Sequence, residues 1–173
     1  RTWADISAGN CALTVTARGS IGYDTDESRR GRGFRYPLND TSSLYLASFA
    51  VGNSPDYLVD RFYRQHEIDQ DWQLNDSIRT RLPVWNAAQL LQASFTDLNH
   101  PRVKSVIVDQ RALVPAPPGP QNTVILVYDL WNAGTVELND LYAGILADFD
   151  VIATDRLHDL AWTFPEQRTA VMR

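Results

Sequence analysis

The stretch from Thr123 to Trp131, TVILVYDLW, decides the fold class. Its side chains are apolar at alternating positions on both of the faces that a strand would present, and Asp129 is the exception. A strand with two apolar faces is typical of the centre of a sheet, where both faces are covered. We therefore expect 123–131 to be a central strand, with 141–151 as its antiparallel neighbour. The run Asn132-Ala133-Gly134 predicts a tight connection after the first strand.

Other stretches with strand patterns lie on both sides of this pair. They comprise residues 13–17, 43–52, 103–113, 159–164 and 168–172. Residues 89–97 fit a short helix as well as a strand, and their alternation favours the strand. Strands at this spacing, with few helical stretches, predict a mainly β fold: an antiparallel β-sandwich with few or short helices.

Length, charge and cysteine content narrow the class of protein. The chain has 173 residues, which fits a single domain spanning 1–173, and its ends suggest a fragment of a longer polypeptide. The net charge of −5 argues against a nucleic-acid partner, whose binding depends on basic side chains. No apolar run approaches the ~20 residues of a membrane span. We expect Cys11, the single cysteine, to be a small buried side chain.

Carboxylates near the end of the 141–151 strand form a candidate metal site. Asp148 and Asp150 would point to one face of a strand, and Asp155 follows closely. Ca²⁺ takes oxygen ligands from such clusters. The alternative is that these carboxylates face water or pair with Arg156. The acidic loop signature of an EF-hand is absent from the sequence, so the pattern does not choose between them.

The tryptophans suggest a candidate carbohydrate-binding or surface-binding function. Sugars stack on flat aromatic rings, and an exposed ring is needed for this. Trp131 and Trp162 lie in strand patterns and are expected in the core. Trp72 and Trp85 flank polar segments and are the better candidates for exposed binding residues.

The histidines leave a third function open, a hydrolase with a dispersed active site. His66, His100 and His158 do not have the spacing of metal ligands, and no G-x-S-x-G elbow nominates a nucleophilic serine. Catalysis would require one of them to meet an acid and a nucleophile in space.

Several framework segments together resemble a known class of domain. They are NCALTVT at 10–16 with GSIG at 19–22, GFRYP at 33–37, VGN at 51–53, VILVYDLWN at 124–132 and YAGILADFDV at 142–151. This pattern is similar to the non-catalytic β-domains of large secreted bacterial proteins, including multidomain subtilisin-like serine peptidases and surface proteins of the Bacteroidetes type. The resemblance implies an extracellular or cell-surface location and no catalytic residues.

From the residues and the resemblance together we expect a non-catalytic accessory, interaction or spacer domain of a secreted multidomain bacterial protein. Its partners would be other domains of the parent protein, with a glycan or protein surface as a further possibility. No cofactor is expected, apart from the Ca²⁺ considered above.

Overall fold

The computed structural model describes residues 1–23, 30–64, 67–81, 86–150 and 160–172, which are almost entirely strands and turns. The strands, in chain order, are β1 (Trp3–Ile6), β2 (Ala12–Thr16), β3 (Ser20–Ile21), β4 (Phe34–Arg35), β5 (Leu44–Ser54), β6 (Tyr57–Val59), β7 (Tyr63–Arg64), β8 (Glu67–Ile68), β9 (Gln73–Arg81), β10 (Ala87–Thr96), β11 (Val106–Pro115), β12 (Ile125–Asn132), β13 (Tyr142–Phe149), β14 (Ala161–Phe164) and β15 (Thr169–Met172). One 3₁₀ turn, Pro165–Gln167, is the only helical element in these ranges. The predicted mainly β fold with few or short helices is confirmed.

Two antiparallel sheets form the body of the domain. Sheet I has the order β1-β2-β3-β5-β13, with β4 paired to β2 and β6 paired to β5. Sheet II has the order β12-β11-β10-β9. Two small hairpins, β7–β8 and β14–β15, pair only within themselves in the described structure. Every strand pairing among the described residues is antiparallel.

The two sheets pack face to face around a continuous apolar interior. Along β11, from Val106 to Val114, every second residue is buried, which is the alternation of a strand with one core face. One cluster joins Ile6, Val15 and Ala47 of sheet I to Leu91 of sheet II. A second cluster contains Phe49, Val51, Tyr57, Val59, Trp72, Phe95, Val106 and Val108. The domain is therefore a β-sandwich whose core holds side chains from both sheets.

The predicted pairing of 123–131 with 141–151 is wrong. β12 pairs with β11 and lies at an edge of sheet II, whereas β13 pairs with β5 and lies at an edge of sheet I. The predicted tight connection is also wrong, because residues 133–141 separate β12 from β13. These residues begin with a local turn in which Oδ1 of Asn132 accepts a 3.0 Å hydrogen bond from the Gly134 amide. The chain after this turn crosses from one sheet to the other instead of folding back as a hairpin. β12 is therefore an edge strand and not the predicted central one.

Two narrower predictions are confirmed. Residues 89–97 fall almost entirely within strand β10, and no described part of them is helical. Cys11 is fully buried, and this burial raises the pKa of its thiol. No helix in the described ranges is long and apolar enough to cross a membrane.

Candidate interaction surface

One side of the sandwich is left open where the edge strands of the two sheets face each other. We call this surface the open side; it consists of β13, residues 122–126 and the hairpin β14–β15. The side chains of β13 are unusually accessible for an apolar strand: Tyr142 is 75% exposed, Ile145 50% and Leu146 37%. An apolar sheet edge with this exposure is a feature of binding surfaces or of faces covered by another chain.

The register of β13 shows which of its side chains belong to the interior. Ile145 pairs with Phe49 and Ala147 pairs with Ala47, and these two partners are buried core residues of β5. Residues paired across an antiparallel sheet lie on the same face. Ile145 and Ala147 therefore point toward the space between the sheets, yet both remain exposed. The described strands of sheet II do not cover them.

An apolar cavity of about 350 Å³ occupies this uncovered space. Its walls are core residues of sheet I such as Leu13 and Leu44, the start of β12 at Leu126, and the inward side chains of β13. Asn122 and Thr123 supply the polar groups of its lining. The cavity therefore opens directly onto the hydrophobic interior of the sandwich.

Two further grooves flank β13. A groove of about 410 Å³ on its outer face is bounded by Tyr142, Leu146 and Leu58. A groove of about 490 Å³ separates Ile145 and Phe149 from the hairpin β14–β15. None of the residues lining the cavity or these two grooves is charged. The open side is therefore suited to apolar, uncharged groups, because a buried charge would have no partner there.

The hairpin β14–β15 adds aromatic surface to the open side. Trp162 pairs with Val171, and Phe164 follows Trp162 on the same face. All three side chains are more than two-fifths exposed. An isolated two-stranded hairpin is only marginally stable in water, so this element gains stability when its apolar face is covered.

The tryptophans do not occupy the expected positions. Trp72, predicted to be an exposed binding residue, is fully buried, and its Nε1 donates a 2.9 Å hydrogen bond to the Phe49 carbonyl oxygen. Trp131 and Trp162, expected in the core, are 58% and 43% exposed because they lie on an edge strand and on the peripheral hairpin. Trp85 lies outside the described residues. The sequence assigned exposure from neighbouring polar residues, but Asp71, the polar residue before Trp72, is itself buried.

The carboxylates predicted to bind Ca²⁺ are only partly described. Asp148 is exposed on β13, and Asp150 is half-buried just after the strand ends at Phe149. The register shifts between Asp148 and Phe149, so strand alternation does not continue through Asp150 as we expected. Asp155 lies outside the described residues. Within those residues, no group of three or more His, Cys, Asp and Glu side chains is placed to hold a metal ion; calcium binding stays a prediction.

His100 has a structural environment. It is 6% exposed, its Nδ1 accepts a 3.0 Å hydrogen bond from the Arg102 amide, and its ring lies edge-on to that of Tyr57. The neighbouring acid, Asp97, is fully buried and accepts hydrogen bonds from Tyr57 and two backbone amides. His66 and His158 lie outside the described residues. The described contacts of His100 do not include a serine or cysteine nucleophile.

A pair of aspartates that the sequence analysis missed has unusual electrostatics. Asp71 is 4% exposed, and burial raises its pKa to about 7, with a side-chain hydrogen bond to Asp69 and the charges of Asp69 and Asp60 adding to the effect. Oδ2 of Asp71 is buried and has no hydrogen-bond partner among the described residues, which adds to the cost of ionising this carboxyl. The sequence feature that could have indicated this pair is the run Asp69-Gln70-Asp71, which lies directly before Trp72.

Comparison with known proteins does not assign this chain to a family. No protein-family model, no curated protein and no solved structure matches it. The resemblance to accessory domains of secreted bacterial proteins therefore stays a prediction. The geometry of the open side is therefore the main basis for inferring the function of the domain.

Proposed function

We propose that this domain is a non-catalytic interaction module of a larger secreted protein and that the open side is its docking surface. The proposal rests on one observation: the side chain of Ile145 faces the interior of the sandwich, yet half of it is exposed. Burying apolar side chains is the main favourable contribution to protein association. Docking of a partner over β13 would cover Ile145 and the cavity beneath it at the same time.

The composition of the open side supports a protein contact more than a catalytic role. Its cavity and grooves are apolar and carry no charged lining residue. Acid–base and nucleophilic catalysis need titratable groups that converge on a pocket. The described cluster of Tyr57, Asp97 and His100 is buried, and its members are hydrogen-bonded or packed within the framework. The secreted, accessory role follows from the sequence resemblance alone.

The proposal is tested by hydrogen exchange of backbone amides in residues 142–149. We expect these amides to exchange substantially more slowly in the full-length product of the gene than in the domain alone. Amides of β11, which is central in sheet II, provide the internal control and should exchange alike in both samples. Equal exchange of residues 142–149 in both samples would contradict the proposed docking surface.

The non-catalytic part of the proposal has its own test. The domain is assayed against a panel of ester, peptide and glycoside substrates, alongside His100→Ala. We expect no turnover by either protein. Turnover that disappears in a folded His100→Ala variant would establish a hydrolase.

Exposed Trp131 favours glycan binding as a second candidate function. Its Nε1 donates a 3.0 Å hydrogen bond to Oδ2 of Asp109, which fixes the ring on the outer face of sheet II. Arg111 and Asp129 lie on the same face and form an ion pair. A sugar can stack on such a ring while its hydroxyls bond to the polar side chains around it. A glycan array with wild-type protein and Trp131→Ala tests this; binding that survives the substitution, or none at all, rejects this site.

A further inference from the structure

The backbone of β13 is paired on one side only. Through the eight residues from Tyr142 to Phe149 it is hydrogen-bonded to β5. On its other side no strand lies within the described part of the chain. Such an edge presents a row of amide and carbonyl groups that another strand can pair with.

From Tyr142 to Ala147 this edge lacks the features by which proteins usually prevent strand pairing, and the charged side chain of Asp148 lies beyond this stretch near the end of β13. Edge strands are commonly protected by charged side chains, by proline, or by being very short. From Tyr142 to Ala147 the sequence is YAGILA, which contains no charge and no proline. A Cβ atom built on Gly144 would meet no atom within 4 Å, so the outer face of the strand is uncovered at this position.

The alternation of β13 determines what an added strand would contact. Ala143, Ile145 and Ala147 face the interior, and Ile145 and Ala147 line the cavity of about 350 Å³. A strand paired to this edge would direct every second side chain over the same cavity. Its other side chains would lie over the outer groove beside Tyr142 and Leu146. Both spaces lack charged lining residues, so the strand that fits is apolar on its inner face and uncharged throughout.

We propose that the occupant of the open side is an extended, uncharged segment of a partner polypeptide that adds to β13 as a further strand of sheet I. Its alternate apolar side chains fill the cavity between the sheets. This inference rests on the proposed function and specifies its binding mode as β-strand addition. Backbone hydrogen bonds supply affinity, and the size of the cavity selects the side chains.

The experiment uses a synthetic probe. A fluorescent nonapeptide in which valine alternates with threonine, with one lysine added beyond each end for solubility, is titrated against the domain and followed by anisotropy. The first control peptide has the same composition in an order that breaks the alternation. The second keeps the order but is N-methylated at every second residue, which removes the amide donors along one edge. The protein variants are Ile145→Lys and, as a matched control, Val136→Lys, whose side chain is 72% exposed in the loop before β13.

We expect the alternating peptide to bind and to slow amide exchange in residues 142–149. Binding should weaken at least tenfold with either control peptide and with Ile145→Lys, and should be unchanged with Val136→Lys. The N-methylated peptide tests the inference on wild-type protein, so the result does not depend on whether Ile145→Lys folds.

Three results would overturn the inference. Equal binding of the N-methylated and unmodified peptides would indicate apolar contact without strand pairing. Dimerisation of the domain that is lost in Ile145→Lys, measured by sedimentation, would identify a second copy as the occupant. No peptide binding, combined with protection of residues 142–149 in the full-length protein, would reject strand addition and leave the proposed docking surface standing.

Discussion

The hydroxyl of Tyr57 donates a 2.8 Å hydrogen bond to Oδ2 of Asp97 and so joins the two sheets. Tyr57 belongs to β6 of sheet I, and Asp97 directly follows β10 of sheet II. Asp97 also accepts hydrogen bonds from the amides of Lys104 and Val106, so its buried carboxylate closes the connection between β10 and β11. Burial, together with the nearby carboxylate, raises the pKa of the Tyr57 hydroxyl well above its usual range. Tyr57 is therefore a neutral donor at physiological pH.

Removing this donor should destabilise the fold. We expect Tyr57→Phe to lower the free energy of unfolding by about 1–3 kcal/mol, because a buried carboxylate then loses a hydrogen bond. Tyr142→Phe is the matched control, since Tyr142 is 75% exposed, and its unfolding midpoint should not change. Urea denaturation of both variants measures the difference. A Tyr57→Phe midpoint equal to that of wild type would show that the bond contributes nothing net.

The Asp69–Asp71 pair predicts that stability falls as the pH rises. The pKa of Asp71 is raised from 3.8 to about 7 in the folded protein, so the folded state holds a proton that the unfolded state releases. This contribution is fully present below about pH 4 and is lost as the pH rises through about 7. Asp71→Asn keeps a donor toward Asp69 without the charge. We expect it to raise the melting temperature at pH 8 and to have little effect at pH 4.

The control for this pH dependence is Asp76→Asn. Asp76 is on the surface and pairs with Arg79, so its substitution should shift melting by little at either pH. Melting is measured for wild type and both variants from pH 4 to 8. A difference between wild type and Asp71→Asn that stays constant over this range would show that Asp71 does not take up a proton on folding.

The alternation of apolar and polar residues predicted many of the strands, but it did not predict which sheet each strand joins. The residues of β11 alternate between buried and partly buried, and such a pattern specifies a strand and its buried face. The partner of β13 depends on where the connection after Asn132 leads, which side-chain alternation does not encode. For the same reason the sequence showed that β12 and β13 are apolar but not that they lie at open edges. The position of Trp72 was predicted wrongly because its burial depends on residues distant in sequence, Phe49 of sheet I and Phe95 of sheet II.

Truncating a core leucine should reduce stability less at the open side than at the centre of the sandwich. Leu91 is 1% exposed in the middle of sheet II, and Leu91→Ala should destabilise the fold by about 2–5 kcal/mol by leaving a cavity. Leu126 is partly buried and already lines an open cavity. We therefore expect Leu126→Ala to destabilise the fold clearly less than Leu91→Ala does. Equal losses in denaturant unfolding would mean that the cavity beside Leu126 is closed in solution.

Two glycines provide a contrast between a position that requires glycine and one that does not. Gly19 has a φ of +81°, and a Cβ atom placed there would lie 2.6 Å from Cδ1 of the Trp72 ring. The ring cannot move away, because it is fully buried and held by its bond to the Phe49 carbonyl oxygen. Gly19→Ala should therefore destabilise the fold by more than about 1 kcal/mol through backbone strain and displacement of Trp72. At Gly144, where the same atom would meet open space, alanine should leave stability unchanged or slightly higher. Chemical unfolding followed by far-UV circular dichroism compares the stability of the Gly19→Ala and Gly144→Ala variants. A Gly19→Ala protein as stable as wild type would mean that Trp72 does not pack tightly against Gly19.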